Sequence, residues 1–141
     1  MRINRRSVLV EWGDCDPSGV IFNARYFAWF DASLHALLAS GGLSFDGLVA
    51  RHGIDGLPLA ETSAKFFAPL RYGDSVVLET AVTKLHRCAF DLHHRVHKAD
   101  RLAAECFETR VLTAPHPDEG RSRAHPLPQD LVACLTGPAA A

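Results

Sequence analysis

The second half of the chain is predicted to form four strands. Along residues 75–86, Val76, Leu78, Thr80 and Val82 occupy every second position, which is the period of a β-strand with two different faces. Strands are also predicted at residues 57–67, 89–98 and 102–113, with turn sequences such as Tyr72-Gly73-Asp74 between them. Because the connections between the later strands are short, an antiparallel meander is favoured.

The first half is predicted to hold one strand, at residues 7–12, and one long helix, at residues 24–40. Asn23 is a suitable N-cap, and Gly41-Gly42 is a suitable stop. The helix is apolar on nearly all sides, which is typical of a buried helix rather than a surface one. The predicted order is therefore a strand, a buried helix and four strands that wrap around it. Shorter helical segments fit within residues 43–56 and 128–135.

A polar loop, Glu11 to Val20, joins the first strand to the helix. Its Gly, Asp and Pro residues are those of a turn, and it carries two carboxylates, Asp14 and Asp16. A carboxylate just before a helix lies near the positive end of the helix dipole. Acyl-transfer enzymes place a nucleophile or base there, close to donors for an oxyanion. The alternative is that both aspartates only cap and solubilise the turn.

Composition narrows the possible partners and the cellular location. The 141 residues form one domain, residues 1–141, and a net charge of −1 gives no general attraction for nucleic acid or an anionic membrane. No apolar run is long enough to span a bilayer or to act as a signal peptide. The four cysteines are scattered without a C-x-x-C pair, so neither disulfides nor zinc are predicted, and a reducing cytoplasm is the expected location.

The loop and helix together carry a family resemblance. The run Gly13-Asp14-Cys15-Asp16-Pro17-Ser18-Gly19-Val20, followed by Tyr26-Phe27-x-Trp29-Phe30-Asp31-Ala32, resembles the 4-hydroxybenzoyl-CoA thioesterase family of hot-dog acyl-CoA thioesterases. Weaker matches at Gly56-x-Pro58, at Ala64 and Phe67, and at Tyr72-Gly73-Asp74 extend the resemblance over residues 7–113. It implies an α+β hot-dog fold, a long antiparallel sheet wrapped around one central helix. It also implies hydrolysis of an acyl-CoA, with an aromatic acyl group such as hydroxybenzoyl or another bulky group.

The same resemblance implies roles for individual residues. Asp16 corresponds to the catalytic carboxylate, acting as a nucleophile or as a general base. The backbone N–H of Asn23, at the start of the helix, corresponds to the donor that polarises the thioester carbonyl. Thr62 and Ser63 match positions where a partner subunit lines the acyl pocket, and Glu61 is a candidate second carboxylate. The alternative for Glu61 is an ordinary exposed strand residue.

The CoA phosphates require basic groups, which the family places at the turn between the third and fourth strands. Here that turn reads Lys84-Leu85-His86-Arg87-Cys88, so Lys84 and Arg87 are the candidate phosphate ligands. The alternative is that both are solvated turn residues. No cofactor is expected, because CoA is part of the substrate.

Other polar residues give weaker signals. His93, His94 and His97 are close in sequence, but Arg95 shares a strand face with His93 and His97, so a solvated sheet face is favoured over a metal site. For His35, within the helix, a core histidine is favoured over a catalytic one. Asp31 lies in an apolar helix and must be paired or at an interface.

Two other functions remain as alternatives. An enoyl-thioester hydratase of this fold pairs its Asp with a nearby His, yet no His occurs between Asp16 and His35. A non-catalytic acyl-thioester binding module is expected to lack the loop carboxylate, which is present here. One helix covers a sheet only partly, so a homo-oligomer is expected: a dimer, or a homotetramer built as a dimer of dimers.

Overall fold

The sheet predicted from the alternating pattern is present. The computed structural model describes residues 1–118 and 120–139. Five antiparallel strands lie in the order β1-β3-β4-β5-β2. Their bounds are β1 Ile3–Leu9, β2 Leu59–Phe66, β3 Ser75–Leu85, β4 Ala89–Lys98 and β5 Arg101–Val111.

The long helix α1, Asn23–Ser40, lies against one face of this sheet. Its inner side is buried and carries Tyr26, Trp29, Phe30, Ser33, Leu34, Leu37 and Leu38. Its outer side, which includes Ala28, Ala32 and His35, is exposed. The helix that was predicted to be buried is therefore buried on its inner side only in a single chain, because the sheet forms one layer over it.

Two shorter helices close one end of the sheet. Helix α2, Phe45–His52, begins where the Ser44 side chain accepts a hydrogen bond from Gly47 N–H, and ends at Gly53 in the left-handed conformation. Helix α3, Gln129–Thr136, is tied to α2 by Asp130, which pairs with Arg51 and His52 at 3.1 and 2.9 Å. None of the helices in residues 1–118 and 120–139 combines the length and the hydropathy needed to cross a membrane.

Strand β1 starts and ends earlier than predicted. Residues 10–12 leave the sheet because Trp12–Asp14 forms a single turn of 3-10 helix. The Asp14 carboxylate accepts a hydrogen bond from Glu11 N–H at 2.9 Å and fixes that turn. A two-stranded hairpin of β6, Thr113–Pro115, and β7, Ser122–Ala124, was not predicted, since its prolines indicated irregular chain.

The two ends of the sheet differ in what they carry. The Asp16 end holds the last residues of β1 and β2, the first residues of β3 and the N-terminus of α1. The opposite end, here called the Arg87 end, holds the β3–β4 turn and the first residues of β2, because Leu59 pairs with Arg110 and Ala89 pairs with Val111. At about 3.3 Å per residue, the 11 residues of β3 separate the two ends by roughly 33 Å.

Candidate active site

The loop that carries Asp16 is a closed turn held by its own backbone. Asp16 N–H donates to Val20 carbonyl at 3.0 Å, and Gly19 N–H donates to Asp16 carbonyl at 2.9 Å. Gly19 has φ of +80°, a conformation that side chains disfavour, so glycine suits this position. The loop is anchored to the segment before β3, where Ile21 N–H donates to Leu70 carbonyl at 2.9 Å. The side chain of Asp16 is therefore presented from a fixed backbone.

The Asp16 carboxylate is held in its ionised form. Its Oδ1 accepts a hydrogen bond from the Ser18 hydroxyl and another from Ser18 N–H at 2.8 Å. Hydrogen bonds donated to a carboxylate favour its charged state. The Ser18 hydroxyl, followed by the Ser18 N–H, holds the pKa of Asp16 below its ordinary range. At neutral pH this group is an anion.

Helix α1 begins directly after this loop with no side chain capping it. The N-cap is Phe22, not Asn23 as predicted, because Asn23 already has helical backbone geometry and is the first residue of the helix. Phe22 cannot cap the helix through its side chain, and the first turn holds no acidic residue. The first N–H groups of an α-helix have no partner within the helix. In α1, Arg25 N–H donates to Phe22 carbonyl at 2.9 Å, which leaves the N–H groups of Asn23 and Ala24, among the described residues, available to an oxygen atom of a ligand.

A groove of about 280 Å³ opens beside this helix end. Its walls come from the end of the loop, the first turn of α1 and the end of β2: Val20, Ile21, Asn23, Tyr26, Phe66 and Phe67, with Ala68 and Pro69. Asp16 does not line the groove itself, but its N–H is bonded to Val20, which does. The groove joins an apolar aromatic wall to the positive end of a helix.

The other predicted acyl-pocket residues lie elsewhere in a single chain. Glu61 and Ser63 line a second groove, of about 230 Å³, together with Asp91 and Phe107. Thr62 points to the side of the sheet that α1 covers, where its hydroxyl contacts Cys106 Sγ at 3.2 Å. Within one chain, the structure does not bring Glu61, Thr62 or Ser63 together with Asn23.

The predicted phosphate ligands lie at the Arg87 end of the sheet. Both are exposed: Lys84 lies near the end of β3, and Arg87 lies within the β3–β4 turn. The segment before α3 contacts this turn, since Leu127 N–H donates to Arg87 carbonyl at 3.0 Å. Because they lie a full strand length from Asp16, these cations do not belong to the groove of the same chain.

Comparison with known proteins decides the family. The model of the thioesterase-like superfamily matches residues 10–135. The chain is 30% identical over 129 residues to the 4-hydroxybenzoyl-CoA thioesterase of Pseudomonas sp. (strain CBS-3), a match that covers 87% of this chain and 90% of that enzyme. The chain belongs to the thioesterase-like superfamily. It is a thioester hydrolase.

Solved structures of other thioesterases support this family membership. The 4-hydroxybenzoyl-CoA thioesterase from the same Pseudomonas strain superposes with a TM-score of 0.87 at 27% identity, over 95% of this chain and 99% of that one. A mutant of a 4-hydroxybenzoyl-CoA thioesterase with one aspartate changed to asparagine, complexed with 4-hydroxybenzoyl-CoA, gives 0.86 at 27% identity, over 96% and 100%. A gentisyl-coenzyme A thioesterase gives 0.80 at 28% identity, over 94% and 99%. The thioesterase therefore has the α+β hot-dog fold that was predicted.

The thioesterase also contains a line of buried polar groups that the sequence did not reveal as a unit. His94 Nδ1 lies 2.8 Å from the Thr80 hydroxyl, and its Nε2 lies 3.1 Å from Glu108. Arg110 donates from Nε to the same Glu108 oxygen at 3.2 Å and from Nη1 to Asp31 at 3.1 Å. These five residues are called the buried chain below. Asp31 is thus paired, as predicted, and forms its exposed end.

Opposing effects act on the pKa of Glu108 within the buried chain. Burial raises the pKa. The hydrogen bond and charge of His94, followed by those of Arg110, lower it, and together they outweigh the effect of burial. The net direction is down, so Glu108 is an anion at neutral pH. His94, which is fully buried, is stacked on Phe30 with ring centroids 4.8 Å apart.

The histidine predictions are corrected by these surroundings. His94 is buried rather than solvated, because β4 is a central strand and α1 covers that face of it. His93, on the other face, stacks on Phe107 at 4.3 Å and lies 3.0 Å from Glu105. His35 is exposed, not a core residue. Within the described ranges, no group of three or more His, Cys, Asp or Glu side chains could hold a metal ion.

Proposed function

We propose that this thioester hydrolase cleaves aromatic acyl-CoA substrates, with Asp16 as the reacting carboxylate. The observation that carries the proposal is the junction of the loop and α1. An ionised carboxylate lies in a fixed turn, and seven residues later an 18-residue helix begins with no side chain capping its N-terminus. Acyl transfer requires these two elements: an anion that attacks or activates water, and donors for the oxyanion that follows.

The thioester carbonyl is proposed to lie in the groove with its oxygen on Asn23 N–H. This donor belongs to the first turn of α1, where the helix dipole adds a partial positive charge. As the carbonyl carbon becomes tetrahedral, its oxygen gains negative charge, and the hydrogen bond from Asn23 strengthens. The interaction therefore favours the transition state over the bound substrate.

Two routes from this complex use Asp16 differently. In the first, an Asp16 oxygen bonds to the carbonyl carbon, the C–S bond breaks, the CoA thiolate leaves, and water cleaves the resulting anhydride. In the second, Asp16 takes a proton from a water molecule, whose oxygen forms the bond to the carbonyl carbon; the C–S bond then breaks, and the CoA thiolate leaves and takes up the proton held by Asp16. Both routes yield the free acid and CoA. Rapid quenching and mass spectrometry distinguish them, because only the first passes through an enzyme acylated at Asp16.

The aromatic acyl preference rests on the groove walls and on the relatives. Tyr26, Phe66 and Phe67 give the groove an aromatic wall, and both phenylalanines are about half exposed in a single chain. Aromatic rings pack favourably against one another in offset or edge-to-face arrangements. The names of the reported relatives specify 4-hydroxybenzoyl-CoA and gentisyl-CoA. These names support, for this chain, a substituted benzoyl group.

A second copy of the chain is proposed to complete the site through β2. This strand is the last in the sheet order, so its outer edge pairs with no other strand within residues 1–118 and 120–139, and seven of its eight residues are exposed. Edges of this kind invite pairing with another strand. Two copies of β2 related by a two-fold axis run antiparallel, so each copy's Leu59 lies near the other's Phe66. Sedimentation is expected to show a dimer or a dimer of dimers.

The same arrangement gives Lys84 and Arg87 a role in binding CoA. The Arg87 end of one copy lies beside the Asp16 end of the other when their β2 strands pair in antiparallel orientation. The CoA phosphates of a substrate bound at Asp16 are then proposed to meet Arg87 of the partner subunit and Lys84 of the partner subunit. Glu61, Thr62 and Ser63 lie on the pairing strand and are proposed to line the boundary between the subunits, where the acyl group enters.

Hydrolysis of a panel of CoA thioesters tests the proposed function. Release of free thiol is followed for benzoyl-, 4-hydroxybenzoyl-, gentisyl-, hexanoyl-, acetyl- and crotonyl-CoA. Rapid release from the aromatic members, with a much higher kcat/KM than for acetyl-CoA, is the expected result. Hydration of crotonyl-CoA without thiol release would instead indicate a hydratase. Binding without turnover of any member would indicate a binding module.

A further inference from the structure

Tyr26 is the one tyrosine of this chain that lies in the groove. Its ring is almost fully buried, at 2% exposure, and it packs against Phe66 and Trp29 with ring centroids 5.0 and 5.6 Å apart. These contacts hold the ring in a single position. The residue nevertheless belongs to the wall of the groove beside Asn23.

The Tyr26 hydroxyl has no hydrogen-bond partner among residues 1–118 and 120–139, although the ring is buried. Within the same ranges, every side-chain oxygen or nitrogen that is sealed from solvent has a partner. The hydroxyl is therefore not sealed, and the open space beside this residue is the groove. A ligand in the groove could supply the hydrogen-bond partner that this hydroxyl lacks.

Helix geometry directs this hydroxyl to the N-terminus of α1. Tyr26 comes three residues after Asn23, and residues three apart share a helix face. Side chains on a helix lean toward its N-terminus, so the phenol extends over the turn that holds the free N–H groups. Since Tyr26 and Asn23 both line the groove, we expect the hydroxyl and Asn23 N–H to face the same part of it.

We propose that the Tyr26 hydroxyl is a second hydrogen-bond donor to the thioester carbonyl oxygen, acting together with Asn23 N–H. This inference rests on the proposed function, since it needs a thioester in the groove. The proton stays on the phenol oxygen throughout, and the hydrogen bond shortens as the carbonyl oxygen becomes an oxyanion. Burial raises the pKa of Tyr26 to about 12, so the group keeps its proton at neutral pH and remains a donor.

The chain offers a matched control, because Tyr72 is its only other tyrosine. Tyr26→Phe removes the hydroxyl and keeps the ring contacts, whereas Tyr72→Phe makes the same chemical change at an exposed position. With 4-hydroxybenzoyl-CoA, kcat of Tyr26→Phe is expected to fall by about 10²-fold with little change in KM, which is the scale of losing one oxyanion donor. Tyr72→Phe should keep wild-type kcat. Equal kcat values for Tyr26→Phe and wild type would overturn the proposal.

The carbonyl stretching frequency of a bound thioester gives a readout that a purely structural role would not move. Each tyrosine variant is combined with Asp16→Asn, which is expected to hold the substrate uncleaved, and infrared spectra are recorded with 4-hydroxybenzoyl-CoA labelled with carbon-13 at the carbonyl. Loss of one donor should move the band to higher frequency in the Tyr26→Phe background only. A band at the same position in both backgrounds would overturn the proposal.

A third measurement covers the case in which Tyr26→Phe does not fold. In protein that carries both Asp16→Asn and Tyr72→Phe and is grown with 3-fluorotyrosine, Tyr26 is the only labelled ring, and its hydroxyl is a stronger donor than a normal phenol. The carbonyl band should then move to lower frequency, and an unmoved band contradicts the proposal. If wild-type protein hydrolyses no thioester in the panel, the proposed function fails; if it hydrolyses them and Tyr26→Phe is unaffected, only this inference fails.

Discussion

The Asp16 loop and the buried chain hold carboxylates by opposite means. Asp16 is held by Ser18, two residues away, in an exposed turn. Glu108 is held by His94 and Arg110 inside the domain, and Arg110 in turn reaches Asp31, 79 residues earlier in the chain. The loop is thus a product of local sequence, whereas the buried chain exists only after three strands and a helix have assembled.

Because of this difference, we expect the Asp16 loop to contribute mainly to catalysis and the buried chain to contribute mainly to the stability of the fold. A carboxylate that is only partly buried and accepts hydrogen bonds costs little to ionise, so the loop keeps a reactive anion without straining the fold. A buried carboxylate costs several kcal/mol to ionise unless it is paired and fully hydrogen-bonded. Changes in the loop should therefore affect turnover far more than folding, and changes in the buried chain should do the reverse.

The largest expected effect is on turnover, from Asp16→Asn. The amide neither attacks the carbonyl nor accepts a proton from water, so kcat is expected to fall by at least ~10³-fold. The melting temperature should remain close to that of wild type, because the side chain is only partly buried and its hydrogen bonds are local. Steady-state kinetics and a thermal melt check both parts.

Asp14→Asn provides the control for that prediction. Asp14 accepts a hydrogen bond from Glu11 N–H and shapes the turn, a role that an amide oxygen can also fill. Its effect on kcat should be much milder. Turnover close to wild type in Asp16→Asn would remove this residue from the mechanism, whatever Asp14→Asn does.

The next largest effect is expected on stability, from Glu108→Ala. This change leaves His94 Nε2 without the Glu108 carboxylate and takes from Arg110 its buried carboxylate partner, so that the exposed Asp31 is the carboxylate that remains. Breaking a buried ion pair from one side costs about 3 kcal/mol in free energy of unfolding. Glu105→Ala, on the same strand but on the opposite face, should cost less than about 1 kcal/mol. Similar urea midpoints for the two variants would contradict the stabilising role of the buried chain.

Local pattern predicted most of the fold. The bounds of β3 and β4 agree with prediction within one residue, because alternation and the turn at Tyr72-Gly73-Asp74 are properties of neighbouring residues. Helix α1 agrees within one residue as well. The end of β1 was missed because the contact between Asp14 and Glu11 withdraws residues 10–12 from the sheet, and sequence alone does not show which turn forms.

The sequence did not predict the hydrogen-bond partners of His94, because they come from strands that are distant in sequence. Alternation correctly places His94 opposite His93, on the face that also carries Leu92 and Val96, but its partners depend on strand register. Thr80 and Glu108 reach it from two neighbouring strands, 14 residues away on either side. Likewise, only the assembled helix shows that Asn23 is its first residue and that the Tyr26 hydroxyl lacks a partner in the described ranges.

A smaller effect, confined to substrate binding, is expected from Arg87→Ala. A phosphate contact far from the reacting carbon stabilises substrate and transition state equally, so KM should rise by about tenfold while kcat stays nearly constant. The same variant should lose less with a thioester truncated at the pantetheine arm, which lacks the nucleotide. Equal losses with the full and the truncated substrate would show that Arg87 does not meet the CoA phosphates.

The smallest expected effect is a shift in pH dependence from Ser18→Ala. The Ser18 hydroxyl is the main cause of the lowered pKa of Asp16, so its removal should raise that pKa. Activity requires the ionised carboxylate and falls as pH drops through the pKa of Asp16; the acid limb of kcat/KM should therefore move to higher pH. Turnover at pH 7 should change little, since Asp16 remains ionised there. Ser18→Thr keeps the hydroxyl and should restore the wild-type limb, and an acid limb that is the same in all three proteins would mean that another group controls it.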